Sequence, residues 1–486
     1  MNNWKKLFIT GILKLIAVSG ILIILVTCSD TVSSFEVNEL EAFTDGVINS
    51  QLDEHDITGA TLSVVKDGKV LLSRGYGYSD LEKRKPVDPE RTLFRPGSVS
   101  KLFTWTAVMQ LVEQGKLNLN TDINNYLDFK IPAYIIDRGS NKVRPITMKH
   151  LMTHTPGFED VGEDLFVLSM EEKLSLKEYL KKHIPAQVFP PGEVMAYSNY
   201  GAALAGYIVE KVSGQSFDKY VEEHIFAPLN MNYSTFRQPL PEDLASHMVH
   251  AYKYAGGEYY EGDFEFVPAY PAGSMSTTAY DMANFMIAHL QEGRFNNQKI
   301  LGEDTVKKMH QQQFTHHPQV PGMTLGFIEG NFNGKRVISH GGGTTLFFTG
   351  FFLVPEHNLG LFVSYSGGTG MEAVKLFQAF MDYYFPEELN LIAENPARAL
   401  ARAEAYTGEY YPNRMNFSNF EKLIGLFQSI QVKVNPDGFL VVNYLGSDYQ
   451  FVETGEGVYK NRNNKGTQFL KNIAFTFFDF LVKYIF

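Results

Sequence analysis

The apolar positions of this chain change their spacing twice between its ends. Phe43–Leu52 sets them three and four apart, as on one helix face, whereas Ala60–Val65 and Val70–Tyr76 alternate with a period of two. Lys66-Asp67-Gly68-Lys69 lies between these alternating runs, and Asp-Gly in that setting predicts a hairpin. From Ser98 to about Gly293 the pattern is mostly helical, broken by loops rich in Pro and Gly. Leu102–Val112, Leu176–His183, Gly201–Val212 (closed by Ser213-Gly214) and Ala279–Gln291 (entered through Ser276-Thr277-Thr278) are its predicted helices. After Met323 the period shortens, and Leu325–Ile328, Arg336–Ser339, Phe347–Val354 and Gly360–Tyr365 read as strands. Strands on both sides of a helical middle imply an α+β domain over residues 41–388, its two ends sharing one sheet.

Beyond Pro396 the character changes. A linker with a short helix, Ala397–Ala405, leads to a segment that starts at Tyr406-Thr407-Gly408-Glu409-Tyr410. Ile430–Val434 and Phe439–Tyr444 flank Asn435-Pro436-Asp437-Gly438 as a second hairpin, and Tyr449–Val452, Val458–Arg462 and Phe469–Phe475 add strands. Residues 406–476 therefore read as a small all-β module. The apolar tail Phe477–Phe486 reads as a closing strand, because ten residues cannot span a bilayer as a helix. At the other end, Lys5 and Lys6 precede the apolar runs Leu7–Leu13 and Leu15–Val26, the layout of an export segment. Leu25-Val26-Thr27-Cys28 resembles a bacterial lipoprotein processing site, in which Cys28 is lipidated; a cleaved signal peptide and an uncleaved anchor helix stay open. All three place the protein in the bacterial cell envelope, attached through residues 1–28 in two of them, with residues 29–40 as a linker.

Composition narrows the classes. The net charge of −11, with both signs mixed along the chain, gives no basic face for nucleic acid. Cys28 is the single cysteine, which excludes an intrachain disulfide and a multi-cysteine metal site.

The chemistry concentrates in three short elements. Ser98-Val99-Ser100-Lys101 follows the turn Arg95-Pro96-Gly97 and opens a helix, so the Ser98 hydroxyl and the Lys101 amine share one face. There the free first-turn N–H groups favour developing negative charge, and a lysine can turn the alcohol into a nucleophile. A second copy, Ser216-Phe217-Asp218-Lys219, falls in an ordinary helix pattern and is read as structural. In Tyr197-Ser198-Asn199, Tyr197 could shuttle the nucleophile's proton if nearby ammonium groups lowered its pKa, and Asn199 could bridge Lys101 to a substrate amide. The same spelling at Tyr411-Pro412-Asn413 and Tyr459-Lys460-Asn461 is read as surface turn. His340-Gly341-Gly342-Gly343 ends a predicted strand, and the N–H groups of Gly343 and Ser98 would form an oxyanion hole. His150 and His154 have the helical spacing of two zinc ligands but lack an adjacent glutamate and a third ligand, so no metal or cofactor is expected. His316-His317 reads as a loop pair.

In this order the three elements resemble those of the serine β-lactamase and penicillin-binding protein superfamily, most nearly its class C β-lactamase-like branch. Thr92-Leu93-Phe94-Arg95, Val108–Leu119, the run Ile146 to Gly157 and Pro271-Ala272-Gly273-Ser274 are similar to family segments as well. The resemblance implies an antiparallel sheet flanked by helices, with a helical subdomain and a lipocalin-like C-terminal β module. It also implies Ser98 as acylated nucleophile, Lys101 as its activator, Tyr197 as proton shuttle and Asn199 as substrate ligand. His340, Gly341 and Gly342 would be the substrate-facing third box. Characterised class C enzymes carry lysine where this chain has His340, and a neutral histidine weakens carboxylate recognition and tyrosine activation. The expectation is thus a serine hydrolase of small amides, peptides or esters. Alternatives are a D-alanyl-D-alanine carboxypeptidase or β-lactamase and, in another class, a non-catalytic penicillin-binding-like sensor.

Overall fold

A computed structural model describes residues 35–137, 142–169, 171, 174–386, 400, 403–444, 446–455, 458–461 and 472–474. The export segment with Cys28, most of the linker helix and the apolar tail 477–486 lie outside the described residues. Among the described residues, no helix is long and apolar enough to cross a membrane.

Helix α1 (Val37–Glu54) buries Leu40, Ile48 and Leu52 along one face. It starts earlier than its spacing predicted, and residues 37–40, expected as linker, form its first turn because Leu40 has a core site to fill. Strands β1 (Gly59–Lys66) and β2 (Lys69–Asp80) form the expected hairpin. Asp67 and Gly68 turn it with φ of 50° and 75°, a region that Asp tolerates and Gly adopts freely.

The remaining strands are β3 (Lys85–Pro86), β4 (Ile328–Phe332), β5 (Lys335–Gly343), β6 (Phe347–Val354) and β7 (Leu359–Ser366). They assemble with the hairpin in the order β4-β5-β6-β7-β1-β2-β3, every pairing antiparallel. Both ends of the domain thus share one sheet, as the pattern implied. Two boundaries differ from expectation. Leu325–Ile328 is largely a turn, with the Thr324 N–H donating to the Phe327 carbonyl at 3.0 Å. The strand expected to stop at Ser339 runs on through His340 and the three glycines, whose partners are Phe351, Gly350, Thr349 and Phe348.

Alternation along β7 sorts the core into two layers. Leu361, Val363 and Tyr365 face α1 and α5 (Glu372–Tyr384), while Phe362 joins Phe351 and Ile338 on the other face. Helix α4 (Ala279–Leu290) packs there, with α2 (Lys101–Glu113) behind it through the stacked Phe103 and Phe285 rings, 4.1 Å apart. Residues 101 to 111 of α2 are all buried, so it is a central helix, not an amphipathic surface one. Helix α3 (Asn199–Ser213) lies beside it, capped by Ser198 and ended by Gly214 at φ 75°. The middle of the chain is less helical than its pattern suggested. Short helices there alternate with loops and with small hairpins such as Tyr252–Ala255 with Glu258–Glu261. Ser216 precedes the helix Phe217–Val221 instead of lying within one, and Lys219 sits 3.7 Å from Glu223 at the surface.

The C-terminal module is a six-stranded antiparallel sheet in sequence order. Its strands are β8 (Gly408–Tyr410), β9 (Ile430–Val434), β10 (Leu440–Tyr444), β11 (Ser447–Gly455), β12 (Val458–Asn461) and β13 (Asn472–Ala474). Ile430, Val432, Leu440, Val442, Phe451 and Tyr459 fill its core. The expectation of surface turns at 411–413 and 459–461 therefore fails. Tyr459 and Asn461 are interior residues of the module, and Asn413 is buried at 8% exposure against the larger domain.

The Phe352 and Phe377 rings stack at 4.1 Å with an angle of 3° between the sheet and α5. Phe377→Ala should cost about 3–5 kcal/mol of unfolding free energy. Chemical denaturation of the variant and the wild type would measure it.

Candidate active site

Ser98 lies on a 3-10 turn, Gly97–Ser100, that runs directly into α2. It is half-buried while its neighbours Gly97, Val99 and Ser100 are buried, so its hydroxyl is the reachable one on that turn. Lys101, one turn on, has 0% exposure. Its Nζ is 3.0 Å from Ser98 Oγ, 2.8 Å from Asn199 Oδ1 and 2.6 Å from the Ala272 carbonyl oxygen. Burial, reinforced by Arg414, holds the ammonium well below the usual lysine range. A neutral amine keeps two N–H bonds for the two carbonyl oxygens and turns its lone pair to the Ser98 hydroxyl.

Tyr197 precedes α3, and its ring lies 4.9 Å from Lys101 Nζ. Its hydroxyl is sealed from solvent and has no partner of good hydrogen-bond geometry, although Ser98 and Arg414 both act to pull its pKa down. Desolvation outweighs them and pushes the phenol above its ordinary value. The expected lowering by ammonium groups therefore does not occur. The same burial disfavours the charged form of the nearest amine, Lys101.

The third element closes the site from the sheet. A methyl group on Gly342 would stand 1.9 Å from the Pro96 carbonyl oxygen and 3.0 Å from the Ser98 nitrogen. Only glycine lets β5 press so closely on the turn that carries Ser98. Gly97, at φ 53°, meets the Gly343 backbone in the same way. His340 is buried, with Nδ1 2.6 Å from the Gly341 carbonyl oxygen, so Nδ1–H donates there and the unpartnered Nε2 is left as an acceptor. Burial lowers its pKa to about 3, and the ring is neutral at physiological pH. Its ring centre stands 5.9 Å from that of Tyr197.

The structure thus brings Ser98, Lys101, Tyr197, Asn199 and the glycine strand together. It also recruits residues that the motifs did not indicate. His154 tilts against the Tyr197 ring at 4.3 Å and accepts the Ser198 N–H at Nδ1, 3.1 Å away, fixing the entry to α3. His150 is occupied by the Thr147 N–H in a capping box. Both histidines thus do local structural work. His316 lies on a loop as expected, and from there it accepts the Met195 N–H at 3.2 Å and braces the tyrosine segment. The Ala272 carbonyl falls in a segment similar to the family, but its role belongs to a backbone atom and leaves no signature.

The C-terminal module also reaches the site. Glu159, buried, accepts the N–H groups of Phe417 and Ser418 at 2.8 and 2.9 Å and the Ser418 hydroxyl. Asn413 Nδ2 donates to the Met195 carbonyl at 3.3 Å, and Phe417 meets Phe189 edge-on at 5.6 Å. Between these anchors Arg414 Nε donates to Asp160 Oδ2 at 2.8 Å, and its guanidinium carbon lies 5.0 Å from the Tyr197 ring centre.

Residues 44–379 match the family profile described as Beta-lactamase. Among curated proteins, Protein flp of Staphylococcus aureus (strain N315) is 26% identical over 340 residues, 67% of this chain and 63% of that protein. A Beta-lactamase of Yersinia enterocolitica is 28% identical over 263 residues, 54% of this chain and 62% of that protein. The chain thus spans less than two thirds of the length of these relatives. The solved octameric penicillin-binding protein homologue from Pyrococcus abyssi has the same fold at a TM-score of 0.62 and 23% identity. It covers 92% of this chain and 97% of its own, so the likeness runs past the family match into the C-terminal module. A class C beta lactamase from Rhodobacter sphaeroides follows at a TM-score of 0.55 and 20% identity, over 70% of this chain and 99% of its own. With its family match covering well over half its length, the chain belongs to the beta-lactamase family.

Proposed function

We propose that this protein is a serine hydrolase that cleaves an amide, peptide or ester bond through an acyl-enzyme on Ser98. The observation that carries the reading is the fully buried Lys101 amine, 3.0 Å from Ser98 Oγ, with its pKa held well below the usual lysine range by desolvation. Ser98 Oγ attacks the carbonyl carbon and its proton passes to Lys101 Nζ. The N–H groups of Ser98 and Gly343, on two backbone segments that the glycine contacts hold close together, are the donors for the oxyanion. Tyr197 stays a neutral phenol, which suits it to relay a proton to the leaving atom as the bond from the carbonyl carbon breaks. Asn199 fixes Lys101 through Oδ1 and offers its amide N–H groups to a substrate carbonyl. Lys101 then passes its proton to the Tyr197 phenolate, which restores both groups. Water adds to the acyl carbon as the Lys101 amine takes its proton, and that proton goes to the Ser98 oxygen as its bond to the carbonyl carbon breaks.

Ser98→Ala should abolish labelling by a fluorophosphonate probe and turnover of p-nitrophenyl acetate by the purified protein. Labelling that survives the substitution would sink the nucleophile assignment. Because burial depresses the pKa of Lys101, its basic form persists well below the usual lysine range. kcat/KM should therefore be level through neutral and alkaline pH and fall only on the acid side, as Lys101 gains its proton. A profile that climbs with a midpoint near pH ~10, the range of an ordinary lysine, would contradict this. Gly342→Ala forces β5 off the Ser98 turn and should lower kcat about 100-fold, the order of a lost oxyanion donor. Comparison of circular dichroism spectra would separate that loss from unfolding.

A further inference from the structure

The basic groups gathered around Ser98 are nearly all desolvated. Lys101, His154 and His340 are buried and held below their ordinary pKa values. Burial disfavours a positive charge on each of them. Among the described residues, a more exposed cation lies against the Tyr197 ring, and it comes from the other domain. Arg414 sits on the loop between β8 and β9, and its side chain is 46% exposed.

Its placement is built, not incidental. The buried Glu159 clasps the backbone of Phe417 and Ser418, and the Met415 carbonyl accepts the Asp160 N–H at 3.3 Å. Asp160 takes Arg414 Nε alone. Among the described residues no hydrogen bond engages its two terminal nitrogens, and the guanidinium carbon lies 5.0 Å from the Tyr197 ring centre. That edge presents two parallel N–H groups, the arrangement that binds a carboxylate in bidentate fashion.

We propose that Arg414 is a specificity-determining residue that binds a carboxylate on the leaving group of the substrate. The assignment rests on the serine hydrolase reading above. It points to the leaving group because Arg414 lies against Tyr197, the residue that hands the leaving atom its proton. The substrate class is then a peptide or ester whose departing portion ends in a free carboxylate. The charge that His340 cannot provide within the catalytic domain is supplied by the C-terminal module.

The test compares two thioesters of benzoylglycine with the full-length protein, one with thioglycolate as leaving group and the other with its carboxamide. Their kcat/KM ratio is the readout, since any general damage to the site cancels in it. Wild type should favour the acid by about 10- to 100-fold, the value of a charged hydrogen bond. Arg414→Ala and Arg414→Gln should collapse that ratio toward one, and Arg414→Lys should restore part of it. A ratio unaltered in Arg414→Ala, or no preference in the wild type, would overturn the proposal. Calorimetric binding of benzoylglycyl-glycine and of its amide to Ser98→Ala protein, with and without Arg414→Ala, gives a second measure that needs no nucleophile. If fluorophosphonate fails to label Ser98 while the acid still binds tighter through Arg414, the hydrolase reading falls and the carboxylate site stands. Equal binding of acid and amide, with labelling intact, removes Arg414 alone.

Discussion

Everything in the site depends on burying an amine. A charged ammonium taken out of water costs several kcal/mol unless an opposite charge compensates it, and the groups within hydrogen-bond reach of Lys101 Nζ are neutral oxygens. The outcome is a base that needs no carboxylate to activate it. It requires a site closed on all sides. Helix α2 is therefore buried over its first three turns, α3 delivers Asn199 at its first residue, and the turn before Gly273 aims the Ala272 carbonyl inward. Loosening any of these elements admits water, and with water Lys101 regains its proton. The stability of the helical layer and the basicity of the site are one physical problem.

The sheet contributes precision of a different kind. Backbone donors that act on a developing oxyanion must stand within a few tenths of an ångström of their place. In this chain that place is set by backbone contact, glycine against glycine, between β5 and the Ser98 turn. Two-sided burial of β5 to β7 between α1 and α5 on one face and α4 on the other keeps the strand from yielding. The glycines are not a loop's slack but the removal of side chains from an interface too close to hold them.

Much of this was readable along the chain, and the unreadable part has a common cause. Ser98, Lys101, Tyr197, Asn199 and the His340 strand were marked by local signals: a turn before a helix, a cap, a run of glycines after alternating apolar residues. The periodicity also placed α+β order and the C-terminal sheet. It erred where a local signal competes with packing. Leu40 drew residues 37–40 into α1, and the glycine triplet, which looks like a strand's end, continues β5 because β6 offers it partners. What stayed hidden acts across sequence distance. His154 and His316 brace the tyrosine segment, and Arg414 reaches it from more than two hundred residues away. The spelling Tyr411-Pro412-Asn413 reads as a surface turn although Asn413 supports Met195, because nothing in a tripeptide tells which surface it will meet.

Tyr197 shows why that distant arginine matters to the chemistry as well as to recognition. In the proposed mechanism the phenol must give up a proton late, when the leaving atom becomes basic, and must not give it up early. Desolvation holds it neutral, and the same burial disfavours the Lys101 ammonium that would stabilise a phenolate. Once Lys101 has accepted the Ser98 proton, it becomes an ammonium 4.9 Å from the Tyr197 ring, and the balance reverses. Phenol acidity then rises in step with progress along the reaction, at the moment a donor is needed. Arg414 adds a constant pull that Asp160 partly cancels, so the pair sets the baseline from which Lys101 moves the tyrosine. A charge fixed from the C-terminal module and a charge created by the reaction thus act on one ring, and only the second varies with time.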